Sequence, residues 1–302
     1  MALETSWDPP VDSGIGIEFV EANGLRFEVA MMDAVGTDAN DRLALCLHGF
    51  PELHYSWRHQ MPVLADMGYR VWAPNMRGYG RTSRPEGVAQ YGLDDLAQDV
   101  AALIDASGAR ETVLIAHDWG AIVAWHFAIR KLRPLARLVI MNVPHPKCGQ
   151  REIRKWRQMR KSWYIAFFQI PWLPEKLLGR RDAAPIVDVF RGSAVHKARF
   201  TDAALAPYRT AAAQPGALTA MLNYYRALVR LSDAKGIGDG MVDVPTLVLW
   251  GEQDVAIDIH CLDGMEDYVP GLTVERFADA SHWVQQDVPD EVNAALREWL
   301  AR

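Results

Sequence analysis

An aspartate stands at a sharp transition from strand to helix in the stretch IAHDWGAIVAWHF, residues 115–127. Ala116 and Gly120 flank Asp118 and leave room for a strained turn that lifts the Asp118 side chain above a sheet. The helix N-terminus behind it favours negative charge and offers amides to an oxyanion. A helix-capping aspartate is the alternative explanation. As a nucleophile, a carboxylate that attacks a saturated carbon forms an ester, which water can cleave, whereas a serine would form an ether.

Two further residues complete a catalytic set. Asp254 follows the strand pattern TLVLWGEQD, and His282 lies in ADASHWVQQ, after the last strand pattern. Alone, Asp254 would be interpreted as an exposed loop acid and His282 as a buried structural histidine. The nucleophile, the acid and the histidine occur in this chain order, and each lies just past a strand that ends at the same edge of a sheet. This order and placement predict a triad of Asp118, Asp254 and His282.

The segment LHGFPE, residues 47–52, follows an earlier strand pattern and predicts one side of an oxyanion-binding site. We expect the backbone N–H groups of Phe50 and Trp119 to hold the negative charge that develops when an ester carbonyl is attacked. The Phe50–Pro51 bond is a candidate for a cis peptide that directs this loop. His48 is expected to be structural.

Alternating strand and helix patterns must position these residues. Short apolar strands separated by helices predict a mostly parallel sheet covered by helices on both faces, and Asn23–Gly24 predicts a hairpin between the first two strands. The strand patterns are GIEFVEANG, LRFEVAMMDA, RLALCLHGF, YRVWAPNM, TVLIAHD, LARLVIMNVP, VPTLVLWGEQD and LTVERFADA. Helical patterns include LDDLAQDVAALIDASG, AIVAWHFAIRKLR and DEVNAALREWLAR.

The alternation stops after Val143 and resumes at Val244. Residues 144–235 show no strand alternation, are rich in Trp, Tyr and Arg, and predict several helices interrupted by prolines. We therefore expect an α/β core made of residues 1–143 and 236–302, into which a helical domain of residues 144–235 is inserted.

The composition limits the function classes. The chain has 302 residues, half of them apolar, and a formal net charge of −6, which disfavours a nucleic-acid partner. The cysteines are dispersed, and neither a secretory signal nor a long apolar segment is visible. We therefore expect a cytoplasmic protein without membrane attachment. The basic run KCGQREIRKWRQMRK is expected to be a solvated helix face. We expect no cofactor and no metal, because the glycine and histidine spacings fit neither.

Over essentially its whole length the sequence resembles the soluble epoxide hydrolases of the α/β-hydrolase fold, with the motifs HGFPE, RGYGRTSRP, AHDWGA, NVPHP, GEQD and ASHW. The resemblance implies an eight-stranded core with a helical cap (lid). It also implies that Asp118 opens an epoxide to form an ester, which His282, oriented by Asp254, hydrolyses with water to release a vicinal diol. Asn75 stands where relatives often carry aspartate, and we expect this difference to affect loop hydrogen bonds more than chemistry.

Two aromatic segments, WYIAFFQIP and LNYYRAL, are similar to those that supply the family's paired tyrosines. By position the match falls on Tyr164 and Tyr225, with Tyr224 as an alternative to Tyr225, and the pair would protonate the epoxide oxygen. Aromatic side chains predict an apolar pocket lined by Phe50, Trp119, Phe167, Phe168 and Trp283. We expect a small hydrophobic epoxide and water as partners, and a monomer or homodimer.

Other functions remain open at this point. A dehalogenase also needs a carboxylate nucleophile, but haloalkane dehalogenases usually carry asparagine at the position of Phe50, and haloacetate dehalogenases typically carry arginine at that of Trp119. The other alternative is a binding protein that keeps the fold without catalysis. An intact set of nucleophile, acid and histidine disfavours it, so epoxide hydrolysis is the favoured hypothesis.

Overall fold

A computed structural model describes residues 7–36, 41–231 and 236–302 of the chain. Its first two strands form the hairpin predicted at Asn23–Gly24. Both turn residues have positive φ, 48° and 70°, as a tight two-residue turn between twisted strands requires. On either side of the turn, Ala22 pairs with Leu25 in antiparallel register.

One eight-stranded sheet is formed by the described residues. Its strands are β1 (Gly16–Ala22), β2 (Leu25–Met32), β3 (Arg42–Leu47), β4 (Arg70–Pro74), β5 (Glu111–His117), β6 (Arg137–Met141), β7 (Thr246–Gly251) and β8 (Leu272–Phe277). Their spatial order is β1-β2-β4-β3-β5-β6-β7-β8. The hairpin of β1 and β2 joins β4 antiparallel, and all pairs from β4 to β8 are parallel, which confirms the predicted mostly parallel sheet.

Helices cover both faces of this sheet, as predicted. The helices are α1 (Met61–Asp66), α2 (Leu93–Ser107), α3 (Asp118–Ile129), α4 (Pro146–Glu152), α5 (Trp156–Lys161), α6 (Trp163–Phe168), α7 (Leu173–Leu178), α8 (Arg180–Ser193), α9 (Asp202–Ala212), α10 (Ala217–Arg230), α11 (Val284–Asp287) and α12 (Pro289–Leu300). Along β3, Leu43 and Leu45 face one apolar core, with α2 and α3, whereas Ala44 and Cys46 face a second core, with α1 and α12. Because both faces are covered, consecutive strand residues are buried.

Helices α4 to α10 lie between β6 and β7, where the sequence predicted helices. The described part of this cap, residues 144–231, contains no strand. The cap boundaries of 144 and 235 stay a prediction, and residue 235 lies outside the described residues. Across the three described ranges, no helix is both long enough and apolar enough to cross a membrane.

A glycine in the first turn of α3 allows this helix to approach β3 closely. A Cβ atom added at Gly120 would clash with the backbone oxygen of Leu47. We predict that Gly120→Ala lowers the free energy of unfolding, measured with denaturant, by about 1–3 kcal/mol, the usual range for overpacking. Gly192→Ala in α8 is the matched control, because its added Cβ meets no atom within 4 Å. That exchange should be neutral or stabilising, and equal losses in both variants would contradict the close approach.

Candidate active site

The structure places Asp118 on a tight turn between β5 and α3. Its φ of 46° is left-handed, a conformation that costs a non-glycine residue about 1–3 kcal/mol and is concentrated at functional sites. The neighbouring loop can approach only because residue 49 is glycine, since a Cβ there would clash with the Asp118 side chain. The Asp118 side chain is 13 % exposed, and Asp118 lines a cavity between core and cap.

Asp254 and His282 reach this carboxylate from the loops after β7 and β8. His282 Nδ1 lies 2.7 Å from Asp254 Oδ2, and His282 Nε2 lies 3.4 Å from Asp118 Oδ2. The three side chains meet because β5, β7 and β8 are parallel and end at the same edge of the sheet. The structure therefore brings together the three residues predicted as a triad, in the geometry of a nucleophile, a base and an acid that orients the base.

An asparagine that the sequence analysis did not select holds Asp254 in place. Asn142, just after β6, donates from Nδ2 to Asp254 Oδ2 at 2.8 Å, and its Oδ1 accepts the backbone N–H of Gly251 at 2.9 Å. The backbone N–H groups of Ala256 and Ile257 donate to Asp254 Oδ1 at 2.7 and 2.9 Å. The only sequence signal for Asn142 was its place at the end of a strand, in the NVPHP motif.

Burial and charge oppose each other at the triad. Burial alone would raise the pKa of Asp118 and of Asp254, but hydrogen bonding and attraction to His282 hold both values below the usual one. Burial would lower the pKa of His282, yet the two carboxylates beside it raise that pKa well above its usual value. At neutral pH the site therefore contains two carboxylates and one imidazolium.

The predicted oxyanion-binding groups lie beside the nucleophile. The backbone N–H of Phe50 donates to Asp118 Oδ1 at 2.6 Å. The amide of Trp119 belongs to the first turn of α3, where N–H groups lack an acceptor within the helix. The Phe50–Pro51 peptide is cis. Both ring nitrogens of His48 are hydrogen-bonded to backbone atoms, which agrees with the structural role expected for it.

A buried acid and a buried histidine connect the loops of the site, and the sequence analysis gave them no role. Glu52 Oε2 accepts the backbone N–H of Gly49 at 3.1 Å and lies 2.6 Å from His117 Nδ1. His117 Nε2 lies 2.8 Å from the backbone oxygen of His282. Burial would raise the pKa of Glu52, but attraction to His117 holds it below the usual value. The pair thus links the oxyanion loop, the nucleophile strand and the histidine loop.

Tyr164 from α6 and Tyr225 from α10 line the cavity together with Asp118. Their ring centroids are 5.9 Å apart, with the planes at 84°. Burial raises the pKa of both hydroxyls, and the charge of Asp118 raises it further, so both keep their protons at neutral pH. The hydroxyl of Tyr224 instead donates to the backbone oxygen of Arg77 at 2.7 Å. The geometry therefore favours Tyr225 over Tyr224 as the partner of Tyr164.

The cavity above Asp118 has a volume of about 570 Å³ and mostly apolar walls. Core and cap both contribute to it, and its residues include Trp119, Ile122, Trp125, Val143, Ile165, Leu228 and Ile257. Pockets of this size and character are typical of sites for small organic molecules.

Of the five aromatic residues predicted to contact substrate, Trp119 alone is part of the lining formed by the described residues. Phe50 and Phe168 pack edge to face against Tyr225, with ring centroids 5.5 and 4.9 Å away, and Phe167 packs on Phe168. Trp283 packs on the cap helix α8 and donates its ring N–H to a serine there. These four residues are not part of that lining, and their contact with substrate stays a prediction.

Comparisons with known proteins agree with this geometry. A family model described as alpha/beta hydrolase fold matches residues 45–289. The chain is 37 % identical to the AB hydrolase superfamily protein YfhM of Bacillus subtilis, over 95 % of this chain and 98 % of that protein. It is 37 % identical to Epoxide hydrolase 4 of Homo sapiens, over 93 % of this chain and 77 % of that protein. A crystal structure of the Bacillus megaterium epoxide hydrolase with an inhibitor is similar at a TM-score of 0.85 and 29 % identity, covering 94 % of this chain and 100 % of that one.

The sheet order, the nucleophile turn and the converging triad define an α/β hydrolase. The chain belongs to the epoxide hydrolases of this fold, and it is a hydrolase enzyme. The family resemblance stated from the sequence motifs is confirmed, and a helical cap with a catalytic triad is typical of the family.

The pair of Glu52 and His117 generates a prediction about stability. Glu52 is fully buried, and its Oε1 also accepts from the side chains of Gln285 and Gln286. Glu52→Gln replaces one accepting oxygen by an amide N–H group, which would face groups that also donate, and it removes one partner of a buried ion pair. We therefore predict a loss of about 3–5 kcal/mol in the free energy of unfolding. Urea unfolding measures this loss.

The control is Glu111→Gln, which removes a half-exposed ion pair with Arg42 at 3.2 Å. Such pairs contribute about 0–1 kcal/mol, so this variant should unfold almost like the wild type. If Glu52→Gln is as stable as Glu111→Gln, the Glu52 network does not hold the loops of the site.

Proposed function

We propose that the chain hydrolyses hydrophobic epoxides to vicinal diols through an ester formed on Asp118. The observation that carries this proposal is a carboxylate at the nucleophile turn, bound by the N–H of Phe50 and facing both His282 and a pair of protonated tyrosines. An ester of a saturated carbon can be cleaved at its acyl carbon, which permits turnover. Relatives that are named epoxide hydrolases support the same class of reaction.

In the first step a carboxylate oxygen of Asp118 attacks an epoxide carbon. Oδ1 is held by the N–H of Phe50, so Oδ2 is the attacking atom and Oδ1 becomes the ester carbonyl oxygen. The ring carbon–oxygen bond breaks as the ester bond forms, and the ring oxygen takes a proton from Tyr164 or Tyr225. This oxygen stays on the neighbouring carbon as an alcohol, so no group leaves the molecule.

Esterification changes the charge around His282. The carboxylate of Asp118 is one of the two that raise the pKa of His282, and its charge disappears when the ester forms. The pKa of His282 therefore falls, and the proton that it releases returns to the tyrosinate that the first step left behind. Neutral His282, still held by Asp254 at 2.7 Å, then takes a proton from water.

In the second step this water attacks the ester carbonyl, and the charge on Oδ1 is stabilised by the backbone N–H groups of Phe50 and Trp119. Cleavage at the acyl carbon transfers the second proton of the water to the departing alkoxide, which restores the carboxylate of Asp118, leaves His282 protonated and releases the diol. The mostly apolar walls of the cavity favour hydrophobic epoxides as substrates.

We predict that Asp118→Ala abolishes epoxide turnover, because Asp118 is the carboxylate that lies at the strand-to-helix turn beside His282 and is bound by the N–H of Phe50. The assay follows diol formation by chromatography over a panel that includes styrene oxide, and halide release from haloalkanes and haloacetate. Asp105→Asn is the matched control, since its carboxylate forms a surface ion pair with Arg133 and its loss should leave activity unchanged. Epoxide turnover by folded Asp118→Ala would refute the nucleophile, and halide release without epoxide turnover would indicate a dehalogenase.

We predict that Tyr164→Phe and Tyr225→Phe each slow ester formation and that the double variant nearly eliminates it. Each single change leaves one proton donor, and general acid catalysis contributes roughly 10²–10⁴-fold. Single-turnover measurements of the adduct give the rate. Tyr224→Phe is the matched control, because this hydroxyl bonds to the backbone of Arg77. Normal alkylation of Asp118 in the double variant would mean that the pair only packs.

A further inference from the structure

A basic surface with large exposed apolar side chains covers the outside of the cap. The segment KCGQREIRKWRQMRK contains seven basic residues and one acidic residue, in a chain whose formal net charge is −6. Trp156, Met159 and Trp163 in and after this segment are 70 %, 49 % and 65 % exposed. We call these three residues, together with Arg154 and Arg160, the cap patch.

The apolar residues of the cap patch lie on one side of α5 and α6. Trp156 and Met159 have the spacing i, i+3 within α5, which places both side chains on one face of that helix, and Trp163 is exposed at the first residue of α6. Gln158 and Ile165, on the other side of the same two helices, line the catalytic cavity. A single helical layer thus separates the cavity from the cap patch.

The positive charge of the cap patch is not neutralised within the protein. Across the described ranges of the chain, Arg154 and Arg160 have no ion-pair partner. Glu152, the acid of the segment, already forms ion pairs with Arg151 at 2.9 Å and Lys155 at 3.3 Å. An anionic surface is therefore the complementary partner for this face.

We propose that the cap patch docks on an anionic lipid membrane. Tryptophan is favoured at the lipid–water interface, and clustered lysine and arginine are attracted to anionic headgroups. This proposal replaces the solvated helix face expected from the sequence, because a face built only for solvation would not expose Trp156, Met159 and Trp163. Docking would place the cavity one helical layer from the bilayer, where apolar substrates concentrate. This benefit for substrate supply rests on the proposed function, whereas the docking itself does not.

Charge also decides between a membrane and a second copy of the chain. A two-fold symmetric dimer through the cap patch would bring the same patch of each copy together, so that cations would face cations. A nucleic acid would satisfy the arginines and stack on the tryptophans. Met159, an aliphatic side chain that is half exposed, fits the interior of a lipid interface better than a stack of bases.

The test measures co-sedimentation of the whole chain with phosphatidylcholine vesicles that contain or lack phosphatidylglycerol. We expect binding to the anionic vesicles that falls as salt is added, and much weaker binding to phosphatidylcholine alone. Arg154→Glu with Arg160→Glu should weaken binding by roughly tenfold or more, since each basic residue near an anionic surface contributes appreciably. Trp156→Ser with Trp163→Ser should weaken it to a similar degree.

The matched control is Arg297→Glu with Arg302→Glu at the end of the chain, which changes net charge equally and should bind like the wild type. Thermal unfolding checks that all variants are folded. Three results would overturn the proposal: no binding to anionic vesicles, equal weakening by the control, or tighter binding of single-stranded nucleic acid. A wild-type dimer that Trp156→Ser with Trp163→Ser dissociates in sedimentation velocity would assign the face to a second copy instead.

Discussion

The active site depends on one imidazole buried between two carboxylates. His282 is 5 % exposed and lies 2.7 Å from Asp254 and 3.4 Å from Asp118. Two buried negative charges are tolerable because a cation lies between them. The same coupling means that removing one negative charge changes the proton affinity of the imidazole. In the proposed reaction, ester formation on Asp118 therefore converts His282 from a counter-ion into a base at the step that needs one.

Asp118, Asp254 and His282 can lie this close together only because the backbone segments around them are in close contact. Larger side chains would prevent that contact. A Cβ at Gly49 would clash with Asp118, and a Cβ at Gly251 would clash with the backbone oxygen of Ser281, beside His282. The segments that carry Asp118, Asp254 and His282 are thus packed closely against neighbouring loops at glycines. Hydrogen bonds then fix the orientation of these segments: Asn142 donates to Asp254, and the buried pair of Glu52 and His117 joins the neighbouring loops. The close contacts and the hydrogen bonds both act on loops anchored at strand ends, the kind of support that holds site residues in a fixed geometry.

The sequence was sufficient to predict the sheet, because the strand patterns are continuous. It was also sufficient to predict that Asp118, Asp254 and His282 meet, because each lies at or shortly after the end of a strand. It was not sufficient for Glu52 and Asn142, whose partners come from distant strands and leave no periodic signal. Adjacent residues on a helix point about 100° apart, so choosing Tyr225 over Tyr224 required the packing of α10. Aromatic composition likewise predicted an apolar pocket, but the packing of Trp283 on α8 could not be inferred from composition.

The central claim is an ester on Asp118 that forms without His282 and needs His282 for its hydrolysis. Intact-mass measurement of His282→Gln, incubated with an epoxide that the wild type converts, tests it most directly. Because attack by the Asp118 carboxylate needs no base, and the N–H of Phe50 still binds this carboxylate in the variant, the variant should react once and become heavier by the mass of the whole substrate. Adding Asp118→Ala should remove this adduct. A folded His282→Gln variant that gains no mass, or that carries the adduct on another residue, would contradict the account.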